Sequence, residues 1–353
     1  MWGRPFLCKS IMQSSSHLFP VALISAERRG DLSEDVYRLK PANSPDVSVE
    51  LAVTRLGLAD AGLARGVPVI LLHGSFSNRR FWYSPKGVGL GAFLARAGFD
   101  VWLPEMRGHG LSVRNQQWRN NRVADYARYD LPAIAAFVRE QSGQVPHWIG
   151  HSQGGITLAA ALGGQYLGEP AVASAAFFGT QVNRRYWPLK IPPVEWGAHL
   201  LLKRCAQLSG TRLKRGPEDE PIGIALESLR WNGFLGRFKD AERDWWAGLA
   251  EVRLPIMAVA AAGDLKTPER ACRTLYDQMG SEARKFITLG HAHGFSSDFG
   301  HAEMLVSDAA QAEVWPLVLE WLHGHTALQL SGTGKQSDDT PLGFRQVEVE
   351  ATM

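Results

Sequence analysis

Apolar and polar positions alternate from Val47 to Leu56, whereas Val67 to Leu72 is apolar throughout. The first pattern predicts a half-buried strand and the second a strand covered on both faces, ending at His73-Gly74. Gly89 to Ala97 carries helical spacing, Gly98 punctuates it, and Phe99 to Leu103 reads as another buried strand. The rhythm continues with a helix over Asp125 to Gln141, a strand over His147 to Gly150, a helix over Gly155 to Tyr166 and a strand over Val172 to Phe178. Between about Gln181 and Val252 it stops: Arg, Pro and Trp become frequent, strand-like runs vanish, and Gly216 to Pro221 forms a polar break. It resumes with the strand Ile256 to Ala261, a helix from Pro268 to Met279, the strand Lys285 to Leu289 and a last helix from Gln311 to His323. No internal repeat interrupts this order.

Alternating strands and helices predict an α/β fold with a mostly parallel central sheet flanked by helices. The interruption predicts an inserted helical cap. The expected division is a poorly ordered leader over 1–35, a core over 36–180 and 253–325, a cap over 181–252 and a disordered tail over 326–353. A length of 353 residues fits one core carrying an insertion, and 45% hydrophobic with 21% charged residues is an ordinary globular balance.

The formal charge of +3 comes from nearly balanced, scattered charges, so a nucleic-acid partner is not expected. No apolar run approaches the roughly eighteen residues of a membrane span. Arg4 and Lys9 precede a short apolar run, Leu18 to Ile24, but Pro20 breaks it, which favours a leader over a signal peptide. Cys8, Cys205 and Cys272 lie far apart without metal or redox spacing, as in a reducing compartment. A cytoplasmic location is therefore expected, with a secreted or periplasmic one open if the leader is a weak signal peptide. No cofactor and no metal are expected.

Gly150-His151-Ser152-Gln153-Gly154 places a serine between a predicted strand and a predicted helix, where flanking glycines permit a turn tight enough to project the hydroxyl from the sheet. The bland reading is a helix-capping serine. A serine hydroxyl attacks at neutral pH only with a base held by a third group, and in this context acid and base follow it in the chain. Asp264, in Gly263-Asp264 after the strand Ile256 to Ala261, is the candidate acid; after Phe178 no carboxylate follows until Glu195. A solvated turn aspartate is the alternative. His301 is the candidate base, with His291 and His293 on the same loop left as alternatives. An oxyanion hole would take the backbone amide of Gln153 and that of Ser75, with Phe76 as the fallback. His73 reads as structural, and His109 and His151 as loop residues that hydrogen-bond locally.

Taken in order, His73-Gly74, the segment Glu105 to Ser112, the serine turn, Gly263-Asp264 and Gly300-His301 resemble the landmarks of the α/β-hydrolase superfamily from about Val47 to His323. Glu105 stands where the family's loop motif usually has Asp. Gly98 to Leu103 and Tyr129-Asp130-Leu131-Pro132-Ala133 are similar to the acid lipase and related esterase group. The resemblance implies acyl transfer through Ser152 on a small-molecule or lipid-like ester. Thioester, amide or acyltransfer chemistry with the same residues, or a non-catalytic binding protein on the same scaffold, are the rival expectations. The cap residues Trp187, Trp196, Trp231, Trp245 and Trp246 could line an apolar pocket, but packing of cap on core is the expected role of most.

Overall fold

The computed structural model describes residues 14–60, 65–182 and 187–332, with the side chains of 187 and 327–332 excepted. Nine strands form one sheet in the order β1-β2-β3-β5-β4-β6-β7-β10-β11. The strands are β1 Val21–Arg29, β2 Leu32–Leu39, β3 Leu51–Leu58, β4 Pro68–Leu72, β5 Asp100–Pro104, β6 His147–His151, β7 Ala175–Phe178, β10 Ile256–Ala261 and β11 Arg284–Leu289. From β5 to β11 neighbours pair in parallel, whereas β1, β2, β3 and β5 pair antiparallel. Parallel neighbours require helical crossovers, supplied by α1 Leu90–Arg96, α3 Leu131–Ser142, α4 Gln153–Gly163 and α8 Glu269–Gln278.

Every residue of β4, β5, β6 and β10 is buried, which is why β4 and β10 read as unbroken apolar runs. Alternate side chains serve opposite faces. Ile70 and Leu72 join Trp102, Trp148 and the helices α3 and α4, while Val69 and Leu71 join α1 and the C-terminal helix α11 Trp315–Gly332.

Three expectations change. Part of the 1–35 leader is not poorly ordered: β1 and β2 form a hairpin on the sheet edge, turned by Gly30 at φ +66°. Its outer strand is mostly exposed, with Leu23 and Ile24 on the surface and its charges gathered at Glu27, Arg28 and Arg29, so its apolar residues mark no buried face, although Gly30-Asp31 is a two-residue hairpin signal. Residues 1–13 lie outside the described residues. The tail is helical through Gly332, as α11 continues past 326 with Thr326 Oγ1 donating to Leu322 O and meeting His147 Nε2 at 3.1 Å. Residues 333–353 lie outside the described ones.

The helix expected over 125–141 is composite: α2 Val123–Asp125, a π-helical stretch Tyr126–Asp130 and then α3, which has Pro132 in its first turn. Between β7 and β10 lie α5 Pro192–Lys203, α6 Ile222–Asn232 and α7 Trp245–Leu249, together with a small ladder of β8 Gln207–Leu208 and β9 Glu220–Pro221. The polar break at 216–221 is thus partly strand. After β11 the chain forms the short helices α9 Glu303–Val306 and α10 Asp308–Glu313 before α11.

Candidate active site

Ser152 follows the last residue of β6 and precedes α4, with φ +52° and ψ −115°. A non-glycine residue pays for this left-handed geometry, so the surroundings must enforce it. They do so by close approach: a Cβ on Gly150 would lie 2.6 Å from the Gly155 backbone, and one on Gly154 would lie 2.4 Å from Leu72 O. The glycines let α4 start directly against β4 and β6. The Ser152 N–H donates to Phe178 O at 2.9 Å, fixing the turn to β7.

His301 Nε2 lies 2.9 Å from Ser152 Oγ, and His301 Nδ1 lies 2.6 Å from Asp264 Oδ2. The other carboxylate oxygen, Asp264 Oδ1, accepts the N–H groups of Lys266 at 2.9 Å and Thr267 at 3.0 Å. Burial opposes the charge of Asp264, but the His301 hydrogen bond and those two amides outweigh it and hold its pKa below the usual carboxylate range. The carboxylate is therefore ionised and orients Nδ1–H toward itself, leaving Nε2 to accept from the serine. Gly179, at φ +51° after β7, leaves room for the His301 ring, which a Cβ there would meet at 3.1 Å. His291 and His293 sit on an exposed turn and, among the described residues, bond to neither Ser152 nor Asp264.

Among the described residues, the Ser75 and Gln153 amides are uncommitted at the mouth of the same cavity, and Ser75 Oγ donates to Gln153 Oε1 at 2.5 Å. The Phe76 amide, the fallback donor, is taken: it donates to Glu220 Oε1 at 2.7 Å.

A family model described as alpha/beta hydrolase fold matches residues 67–191. Triacylglycerol lipase 1 of Arabidopsis thaliana is 35% identical over 134 residues, which are 35% of this chain and 34% of that protein. Human gastric triacylglycerol lipase is 36% identical over 117 residues, 30% of this chain and 29% of the relative. The chain thus spans about a third of the length of the curated relatives it matches. Among solved structures, an esterase from Thermogutta terrifontis superposes with a TM-score of 0.54 at 18% identity, covering 82% of this chain and 98% of that one. The Paleococcus ferrophilus monoacylglycerol lipase gives 0.53 at 15%, covering 78% and 99%. The chain has the α/β-hydrolase fold.

Within this fold, the histidines near the site are pinned by distant partners. His151 Nε2 donates to the carbonyl of His301 at 2.9 Å while its ring stacks on Phe81. Burial, helped by the neighbouring His301, pushes its pKa down to about 3, so it stays neutral. His109 reaches Glu220 Oε1 at 3.2 Å, and His73 Nε2 accepts the Met106 N–H at 3.1 Å. The expectation of purely local bonding for His109 and His151 is therefore corrected. Both join segments far apart in the chain, which no local pattern encodes.

The motif residues hold one another. Asp130 forms a buried ion pair with Arg107, with contacts of 2.7 and 2.9 Å, so the Tyr129 to Ala133 segment is tied to the loop after β5. Glu105 accepts the Arg79 and Leu111 amides and packs against Gly110, where a Cβ would lie 1.8 Å from its Oε1. Asp100 pairs with Arg55 and accepts from Trp102 Nε1, which accounts for Gly98 to Leu103.

Above Ser152 the fold encloses a cavity of about 350 Å³. Val123, Ile156, Val182, Leu208, Ile224 and Trp231 give it apolar walls, and Arg215 and Glu220 add charge. Of the inserted tryptophans with a described side chain, Trp231 lines it. Trp245 is buried against Trp231 and Phe238, Trp246 packs partly buried on the core, and Trp196 is 72% exposed. The side chain of Trp187 lies outside the described residues. Glu220 was not singled out from sequence, because a carboxylate within a Gly-Pro-rich polar stretch reads as surface.

Proposed function

We propose that this chain is a serine hydrolase that cleaves carboxylic esters through an acyl-enzyme on Ser152. The observation that carries the proposal is the hydrogen-bonded series Ser152, His301 and Asp264 beneath a cavity of mixed apolar and polar lining. His301 Nε2 takes the Ser152 proton as Oγ attacks the ester carbonyl, and Asp264 stabilises the imidazolium that forms. The Ser75 and Gln153 amides bind the oxyanion of the tetrahedral intermediate. His301 then gives its proton to the departing alcohol oxygen. Water, deprotonated by His301 in turn, attacks the acyl-enzyme carbonyl, and the carboxylic acid leaves as Ser152 regains its proton. Apolar walls favour the acyl chain of a lipid-like ester, and the names of the relatives, triacylglycerol lipases and an esterase, support the same substrate class.

The insertion over 181–252 acts as the cap of this site. Among the described residues no helix is long and apolar enough to cross a membrane. Cys205 and Cys272 are free thiols, in keeping with a reducing, cytoplasmic setting.

The test is turnover of chromogenic esters of increasing chain length, with thioesters and amides alongside, by wild-type protein and Ser152→Ala. Ester turnover abolished in Ser152→Ala, with fluorophosphonate labelling confined to Ser152, is the expected result. Preferred thioester or amide turnover moves the activity to a sister class. Folded protein with no labelling points to a binding protein on a hydrolase scaffold.

A further inference from the structure

We propose that Glu220, on the inserted segment, is a positioning residue: it holds the loop after β4 so that the Ser75 amide faces Ser152, making a docked insertion a condition for a complete oxyanion hole. This inference rests on the ester-hydrolase reading above and concerns how that site is assembled.

The loop is strained and held from one side. Phe76 has φ +59°, a left-handed conformation that a bulky side chain adopts only when its surroundings over-determine it. Both of its backbone groups end on the insertion. Its N–H donates to Glu220 Oε1 at 2.7 Å, and its carbonyl accepts the Glu218 N–H at 3.1 Å. Asn78 Nδ2 donates to Glu218 Oε1 at 2.5 Å, and Gly216 lies so close that a Cβ there would sit 2.1 Å from Phe76 O. The stretch from Gly216 to Glu220 is thus a mould for residues 76–78. With the peptide between Ser75 and Phe76 anchored this way, the preceding amide, that of Ser75, is left for the cavity. The Ser75 hydroxyl is tied in turn to the Gln153 side chain.

Glu220 is also built to stay in place. Its side chain is 5% exposed, and a buried carboxylate is retained only with compensating partners. His109 supplies compensation: Nε2 faces Glu220 Oε1 at 3.2 Å while Nδ1 faces Arg107 O at 3.2 Å, so both ring nitrogens point at acceptors. Burial disfavours the imidazolium, but the Glu220 charge outweighs it and raises the His109 pKa. Other ties of the insertion to the core, such as Glu227 on the Val123 amide and Asp219 on Arg114, end away from this loop.

The test measures kcat and KM for 4-nitrophenyl butyrate, and the affinity of an alkyl boronic acid that forms a tetrahedral adduct on Ser152, with the full chain and its Glu220→Ala, Glu220→Asp and Glu220→Gln variants. Loss of one oxyanion donor lowers kcat by about 10²-fold or more. Glu220→Ala and Glu220→Asp, the latter with its carboxylate withdrawn by one methylene, are expected to show a fall of that order in kcat with KM within about threefold, and a parallel loss of boronate affinity. Glu220→Gln still offers an oxygen to the Phe76 N–H and should keep at least about a tenth of kcat. Wild-type kcat in Glu220→Asp, a loss confined to KM, or a Glu220→Gln as impaired as Glu220→Ala would each overturn the proposal. If Glu220→Ala does not fold, the Asp and Gln variants with unchanged melting temperatures carry the comparison. A wild-type protein that turns over no acyl substrate overturns the hydrolase reading and this inference together, whereas an active wild type with unaffected variants overturns this inference alone.

Discussion

At the scale of single residues, the site depends on close backbone approaches around Ser152. Gly154→Ala would place a methyl group 2.4 Å from Leu72 O, a contact relieved only by moving α4 or β4. The expected outcome is a lowered melting temperature together with lost fluorophosphonate labelling, since the serine turn and the start of α4 are one unit. Asp264 makes a different kind of contribution. Asp264→Asn keeps the shape but can no longer hold Nδ1–H of His301 as a carboxylate does, so kcat toward esters should fall by about 10⁴-fold. A thermal melt followed by circular dichroism, unchanged from wild type, checks that the variant remains folded. The serine turn was legible in sequence because two glycines and a strand-to-helix transition are local features. His301 was singled out with His291 and His293 left open, since the distance of each from Ser152 depends on where a long loop returns over β7.

At the scale of elements, buried carboxylates tie helices and loops together. Glu227 on α6 caps α2 by accepting the Val123 amide at 2.7 Å, and burial pushes its pKa up to about 8, against the opposing pull of Arg122. A raised folded-state pKa means that this carboxyl stays protonated in the native protein after it has ionised in the unfolded chain. Its stabilising contribution is complete below the ordinary value of 4.5 and is lost as pH rises toward about 8. Urea unfolding between pH 5 and 8 should therefore show a decline in stability that Glu227→Gln, a mimic of the neutral acid, flattens. The Arg107–Asp130 pair has both side chains almost wholly buried, so Asp130→Ala strands an arginine and should cost about 3–5 kcal/mol, read as a shifted unfolding midpoint at constant slope. Strands buried on both faces were readable from their apolar runs. The π-helical stretch Tyr126–Asp130 was not, because the spacing of its residues reads as part of one continuous helix.

At the scale of the whole molecule, the hairpin β1–β2 covers the edge of β3, whose Leu51 and Val53 are fully buried. Deleting residues 1–39 would uncover that edge with its unpaired backbone groups, and size-exclusion chromatography should show association in place of the full chain's profile. By itself the sequence determined the order of the core strands and helices from β3 onward, the interruption by the insertion and the serine turn, because each rests on periodicity or on turn chemistry within a few residues. The tertiary structure alone decided the rest. It paired the N-terminal strands with the sheet, carried His301 to Ser152 across 149 positions, took the Phe76 amide for Glu220 and sent His109 and His151 to partners more than a hundred residues away. Such contacts form between groups that are neighbours only after the sheet and the insertion have packed, and a buried polar atom takes whichever partner that packing brings within hydrogen-bond reach.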